Sequence, residues 1–180
     1  YKREQIFDYM GSGEQFGVNI TYVTQERQLG TAHALAQAKS VVEDQFLTLP
    51  GDKLIEADTI AQFITMKPEA MLVKKAEAPF RSAVVTIDDG QVMEVMRKER
   101  RAQGSGREPG IFRVNTGIYA FTRDIFRFIE NELNIPDALN SMIAQGYSIN
   151  AVEVAGTWLD VVYPWDILSL NGAILRKIPA

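Results

Sequence analysis

The 180-residue chain has no cysteine and a single histidine, His33. Without cysteine there are neither disulfides nor thiolate metal sites. One histidine supports neither a convincing Ser-His-Asp set nor a zinc cluster. No apolar run approaches the ~20 residues that a helical bilayer crossing needs. A basic excess is missing too. Lys and Arg number 19 against 23 Asp and Glu, a net charge of −4, which argues against a broad nucleic-acid surface. No signal-like segment opens the chain, and the lack of cysteine suits a reducing interior. A cytoplasmic protein that binds neither membrane nor nucleic acid is therefore expected. There are no internal repeats, and the only low-complexity tract is Gly104-Ser105-Gly106.

What is present is ordinary for a folded domain: 46% hydrophobic and 23% charged residues, in a length that supports one domain with a substantial core. The first residues, Tyr1 to Tyr9, already look helical, so a single domain over residues 1–180, preceded by missing amino-terminal residues, is expected.

The most informative stretch is Phe46-Leu47-Thr48-Leu49-Pro50-Gly51-Asp52. Its apolar start suits a strand in the middle of a sheet, and Pro50 and Gly51 end it. Asp52 is then presented at the strand's carboxyl end, where open α/β sheets bind ligands. It either supports the turn or offers a carboxylate to a hard cation such as Mg²⁺.

Along the chain, Tyr1 to Met10 reads as a helix with Ile6 and Tyr9 or Met10 inward. Gly11 to Gly17 is a loop whose glycines lack the strand-before, helix-after context of a phosphate cradle. Val18 to Thr24 alternates as a strand. Gly30-Thr31 opens a helix running to Val41, with Thr31 as N-cap and a helix start that favours an anion or a carbonyl. His33, on its first turn, reads as structural rather than catalytic. Glu56 to Met66 is helical and Met71 to Lys75 is a strand. This β-α-β-α-β order predicts a parallel sheet.

Ala83 to Ile87 and Gln91 to Met96, joined through Asp88-Asp89-Gly90, predict a hairpin. The basic segment from Arg97 to Arg107 reads as a solvated loop or a functional one. Phe112 to Phe121 is a long strand interrupted by Gly117, a mark of a bulge or a close backbone approach to a ligand. Helices follow over Asp124 to Leu133 and Pro136 to Gln145, then a strand over Tyr147 to Val154. Trp158-Leu159-Asp160 lies in a turn that delivers a second acid, and Pro164-Trp165-Asp166 starts a last helix.

Asp52 and Asp160 each follow a glycine-containing turn. Two carboxylates with phosphate oxygens and water make a natural Mg²⁺ site, and phosphoryl or nucleotidyl transfer needs such a cation more than it needs a base.

Four segments, in order, resemble the sugar-1-phosphate nucleotidylyltransferases, especially glucose-1-phosphate thymidylyl- and uridylyltransferases. Gln25 to Ala34 looks like the base-binding Q-x-x-x-x-G-T-A segment. Leu49-Pro50-Gly51-Asp52 looks like the metal-binding G-D. Asn115-Thr116-Gly117-Ile118-Tyr119 looks like the sugar-binding strand. Trp158-Leu159-Asp160-Val161 with Tyr163-Pro164-Trp165-Asp166 looks like W-x-D-V-G-Y-P-W-D.

The resemblance implies a three-layer α/β/α, Rossmann-like mixed sheet. It also implies a reaction in which dTTP or UTP and a sugar 1-phosphate, glucose 1-phosphate foremost, give an NDP-sugar and pyrophosphate. Gln25, Gly30 and Thr31 would then bind the nucleotide, and Lys98, Asn115 and Thr116 the sugar phosphate. Asp52 and Asp160 would be the catalytic acids holding Mg²⁺. A homo-oligomer, and a carboxyl-terminal acyltransferase domain, are compatible with it.

The chain also departs from the pattern. The family's amino-terminal Gly-rich loop and first strand are absent, so the 180-residue piece alone is expected to be nearly inactive. Arg97 stands where the pattern has Glu, no Pro follows Lys98, and Ser82-Ala83 replaces Tyr-Gly. A non-catalytic regulatory or scaffolding relative is the alternative. A metal-dependent glycosyltransferase is disfavoured, because Gly51-Asp52-Lys53 lacks an Asp-x-Asp motif.

Overall fold

The computed structural model describes residues 2–76, 83–96 and 111–176. The strands are β1 (Gln45–Thr48), β2 (Lys53–Ile55), β3 (Ala70–Ala76), β4 (Val84–Asp88), β5 (Gln91–Met96), β6 (Phe112–Thr122), β7 (Asn150–Glu153) and β8 (Trp158–Asp160). The helices are α1 (Arg3–Met10), α2 (Thr31–Gln37), α3 (Ala57–Phe63), α4 (Ile125–Ile129), α5 (Ile135–Ala144) and α6 (Asp166–Leu175). Six strands form one sheet in the order β1-β6-β3-β7-β5-β4, and β2 pairs with β8 in a separate ribbon.

The central strands are β3 and β6, and their alternation builds two cores. Met71 and Val73, with Tyr119 and Phe121, pack against α2, α4 and α5 through residues such as Leu35, Ile125 and Leu139. Ala70 and Leu72, with Ile118 and Ala120, pack with Phe63 of α3 and with Val154. Neighbouring residues on a strand point to opposite faces, so one apolar run serves both cores. Asn140 of α5 ties its helix to the sheet: its amide accepts from Val95 N (2.9 Å) and donates to Val95 O (3.0 Å).

The structure corrects several expectations. The sheet is mixed. β1 and β3 share a direction, but β6 lies between them, antiparallel to both, and the parallel pair among the described residues is β3 with β7. A long later strand inserted between two earlier ones leaves no trace in the local pattern. β1 lies at one end of the sheet's described order rather than in its middle. Val18 to Thr24 is irregular, with Tyr22 and Val23 exposed, because no described strand pairs with it. Ile6 and Tyr9 face outward on α1; the helix instead lays Phe7 on Tyr22, with ring centroids 4.4 Å apart. The helix expected over 124–133 shortens to α4, and the strand over 147–154 to β7. Trp158 to Asp160 is a strand, paired with β2 rather than lying in a turn.

The hairpin forms as its Asp-Gly signal predicts. Asp89 (φ 41°) and Gly90 (φ 75°) both occupy the left-handed region that such a turn requires.

Candidate functional site

A cleft of about 850 Å³ opens between the carboxyl end of β1, the middle of β6, α2, and the β2–β8 ribbon. Among its lining residues are Thr31, Asp52, Asn115, Thr116, Trp158 and Asp160. The bulge predicted at Gly117 shapes its floor, where the β3–β6 register shifts between the pairs Met71–Tyr119 and Val73–Asn115. Gly117 has φ 82°, and a β-carbon there would lie 2.9 Å from Pro50 Cγ. The missing side chain lets the Pro50–Asp52 turn settle on the strand below it.

The two acids come together at the ribbon. Lys53 and Asp160 are directly opposed in the antiparallel register, so their side chains share a face. Asp52 lies in the turn before β2, outside the strict alternation of the strand, and its carboxylate reaches the same side. Lys53 Nζ is 3.1 Å from Asp52 Oδ1 and also donates to Asp160 Oδ1. Val161 N donates to the Asp52 carbonyl at 3.0 Å, which extends the ladder past both acids. Lys53 and Asp160 are largely buried, at 14% and 16% side-chain exposure, whereas Asp52 is 56% exposed and faces the cleft.

The loop leading into β8 is held from two sides. Glu56 Oε1 accepts from Thr157 N (3.0 Å), and Lys74 Nζ donates to Gly156 O (2.9 Å). These contacts fix where Asp160 emerges. Neither Glu56, Lys74 nor Lys53 was picked out from the sequence. For Lys53 the signal was there, in its adjacency to Asp52; for the other two it lies only in contacts distant along the chain.

The remaining candidates take different positions. Asn115 and Thr116 both line the cleft, but Thr116 is 1% exposed and its hydroxyl donates to Leu72 O at 2.7 Å. Asn115 Oδ1 accepts from Gly117 N (2.8 Å), while its amide donates to the Tyr119 hydroxyl (2.6 Å). Burial drives that phenol far above its ordinary range, so it stays neutral.

Gly30 has φ 131°, and a β-carbon there would sit 2.1 Å from Leu133 O. The start of α2 is therefore pressed onto the segment before α5. Thr31 takes part in that docking: its hydroxyl accepts from Ile135 N (3.0 Å) and does not cap its own helix. Gln25 lies outside the residues lining the cleft. Its amide donates to Gly30 O (3.1 Å) and meets His33 Nδ1 at 2.8 Å. Lys98 lies outside the described residues.

Chemically, the cleft offers two carboxylates on one wall, already gathered around a cation. Among its described lining residues Asp52 and Asp160 are the acids and Lys53 the base, and no cluster of three or more potential metal ligands occurs among the described residues. Two carboxylates suit a hard divalent ion that takes its other ligands from water and a phosphate. Thr48 and Trp158 also line the cleft, and their Oγ1 and Nε1 atoms are buried without a hydrogen-bond partner among the described residues.

This mixed α/β sheet, with an acid-walled cleft at the end of a strand, is the architecture of a nucleotidyl transferase. The chain belongs to the Nucleotidyl transferase family, whose model matches residues 1–177. Its curated relatives include the bifunctional protein GlmU of Methanococcus maripaludis, 31% identical over 99% of this chain and 42% of the relative. The UTP–glucose-1-phosphate uridylyltransferase AglF of Haloferax volcanii is 32% identical over 92% of this chain and 71% of its own length. Among solved structures, a putative glucose-1-phosphate thymidylyltransferase of Bacillus anthracis in complex with a sucrose superposes with a TM-score of 0.79. It shares 26% identity, with 98% of this chain and 73% of that one covered. This chain thus spans less than half the length of the GlmU relative. The sequence resemblance to sugar-1-phosphate nucleotidylyltransferases holds across the chain.

Proposed function

We propose that this chain is the nucleotidyltransferase domain of an enzyme joining dTTP or UTP to a sugar 1-phosphate, with glucose 1-phosphate the foremost candidate. An oxygen of the sugar phosphate attacks the α-phosphorus in line. One P–O bond forms, the bond to the β-phosphate breaks, and pyrophosphate carries away the electron pair. The observation that carries the reading is the meeting of Asp52 and Asp160, remote in sequence, at one cation position in the cleft.

Asp52 and Asp160 would hold Mg²⁺, which neutralises phosphate charge when bound. Lys53, a cation already between them, supports this fit. Asn115, set by its bond to Gly117 N, orients the sugar at the cleft floor. Gln25, Gly30 and Thr31 form the nucleotide side, with Gln25 turning from Gly30 O and His33 toward the base. Lys98 completes the sugar-phosphate grip. The two cores on opposite sheet faces support a three-layer α/β/α, Rossmann-like arrangement within one domain. No helix among the described residues is long and apolar enough to cross a membrane. In this reading the enzyme works in the cytoplasm, and its partners are the NTP and the sugar phosphate.

The test is pyrophosphate release by the full-length protein with Mg²⁺, dTTP or UTP, and glucose 1-phosphate. Asp160→Asn and Asp52→Asn are each expected to lower kcat/KM by roughly 10²–10³-fold, on the scale of losing one electrostatic stabiliser in a desolvated site. Silence of the wild type with all common NTPs and sugar 1-phosphates would defeat the proposal and leave a non-catalytic relative.

A further inference from the structure

Lys53 has no place in the chemistry just described, yet it occupies the middle of it. Its ammonium pairs with both Asp52 and Asp160, and its side chain is 14% exposed. No other cation lies among the described residues lining the cleft. The β2–β8 register places it there: Lys53 is the direct cross-strand neighbour of Asp160. It therefore occupies the two carboxylates that would hold a divalent ion.

We infer that Lys53 is a built-in counter-ion that competes with the divalent metal for Asp52 and Asp160, so that metal loading depends on the arrival of nucleotide. The inference rests on the reading that these two aspartates hold the metal. Without Lys53, two carboxylates facing one another repel, and a divalent ion would be drawn in by itself. With it, the pair is already neutralised in part, and a metal ion arriving alone must displace a largely buried ammonium that, among the described residues, pairs with these two aspartates. A nucleotide changes the balance, because its phosphates offer ligands to the metal and a new partner to the displaced ammonium. The ammonium stays within reach of those phosphates because it is tethered one residue after Asp52. The apparent affinity for metal alone is lowered by the fraction of molecules in which Lys53 holds the aspartates, so a lysine-paired state populated above about 90% weakens it at least tenfold.

The experiment titrates Mn²⁺, followed by its electron paramagnetic resonance signal, into the full-length protein with and without UTP or dTTP. In the absence of nucleotide, Lys53→Met is expected to bind Mn²⁺ at least about tenfold tighter than wild type, and Lys53→Arg to stay within about threefold of it. Thermal melts give a second readout. Lys53→Met and a second neutral variant, Lys53→Gln, melt lower than wild type without metal and regain the loss when Mn²⁺ is added, because the ion replaces the missing charge. The inference is overturned if both neutral variants bind Mn²⁺ no tighter than wild type, or if metal restores none of their lost stability. If wild type binds Mn²⁺ with nucleotide but the variants gain nothing without it, the competition fails and the metal assignment stands. If no form binds Mn²⁺ under either condition, both fall.

Discussion

Gly117→Ala is the sharpest probe of how the fold aims Asp52. Gly117 has φ 82°, a conformation that costs an L-residue about 1–2 kcal/mol. The added methyl would also sit 2.9 Å from Pro50 Cγ, in a ring too rigid to fold away. Forcing an extra carbon into such a contact costs about 1–3 kcal/mol. Together the loss is about 2–5 kcal/mol, or roughly 4–20 °C in Tm for a protein of this size. The second consequence is functional. The methyl lifts the Pro50–Asp52 turn, and a misplacement near 1 Å costs on the order of 10²-fold in a reaction that depends on alignment. Differential scanning calorimetry measures the first effect, and pyrophosphate release by the full-length protein the second. Pro50→Ala separates the two energetic causes, since it removes the ring carbon but leaves the dihedral cost. Against that background Gly117→Ala should lose about half as much stability. A Tm within 2 °C of wild type, or an unchanged penalty in the Pro50→Ala background, would refute the reasoning.

Two further outcomes follow from the core. Phe121 is fully buried, stacked on Tyr119 at 5.2 Å and tilted against Phe46 at 6.2 Å. Phe121→Ala should therefore cost about 3–5 kcal/mol, read as a fall of roughly 10 °C or more in a thermal melt. Burial raises the Glu69 carboxyl above its ordinary value, against the opposing hydrogen bonds from Thr122, and one carboxyl oxygen has no partner among the described residues. A group raised in the folded state contributes stability while protonated and loses it as pH rises through the raised value. Glu69→Gln, which stays neutral, should match wild type in acid and melt higher than wild type near pH 8, as melts across a pH series would record.

How far the residues alone reach depends on the range of the interaction. The Asp88–Gly90 hairpin was legible because its turn chemistry is local: two adjacent residues must accept positive φ, and Asp-Gly does. Gly117 was legible as a break in a strand for the same reason. Asp52 and Asp160 could be named as a pair because each follows a glycine turn and because four motifs stand in family order. Strand order was beyond reach. Nothing near Phe46 or Met71 announces that β6, decades of residues later, will lie between them. Val18 to Thr24 shows the reverse failure, since alternation marks a segment able to be a strand, and a strand still needs a neighbour to bond.

The amino-acid sequence by itself thus settled composition class, local turns, most helices and the acids worth watching, all of which depend on a residue and its near neighbours. Tertiary structure alone decided that Lys53 faces Asp160 across a two-strand ribbon, that Gly117 leaves room for Pro50, and that Thr116 turns its hydroxyl to Leu72 instead of the cleft. Those facts depend on register and on contact between distant segments. A one-residue slip in register would turn each of these side chains to the opposite face while leaving every local pattern unchanged.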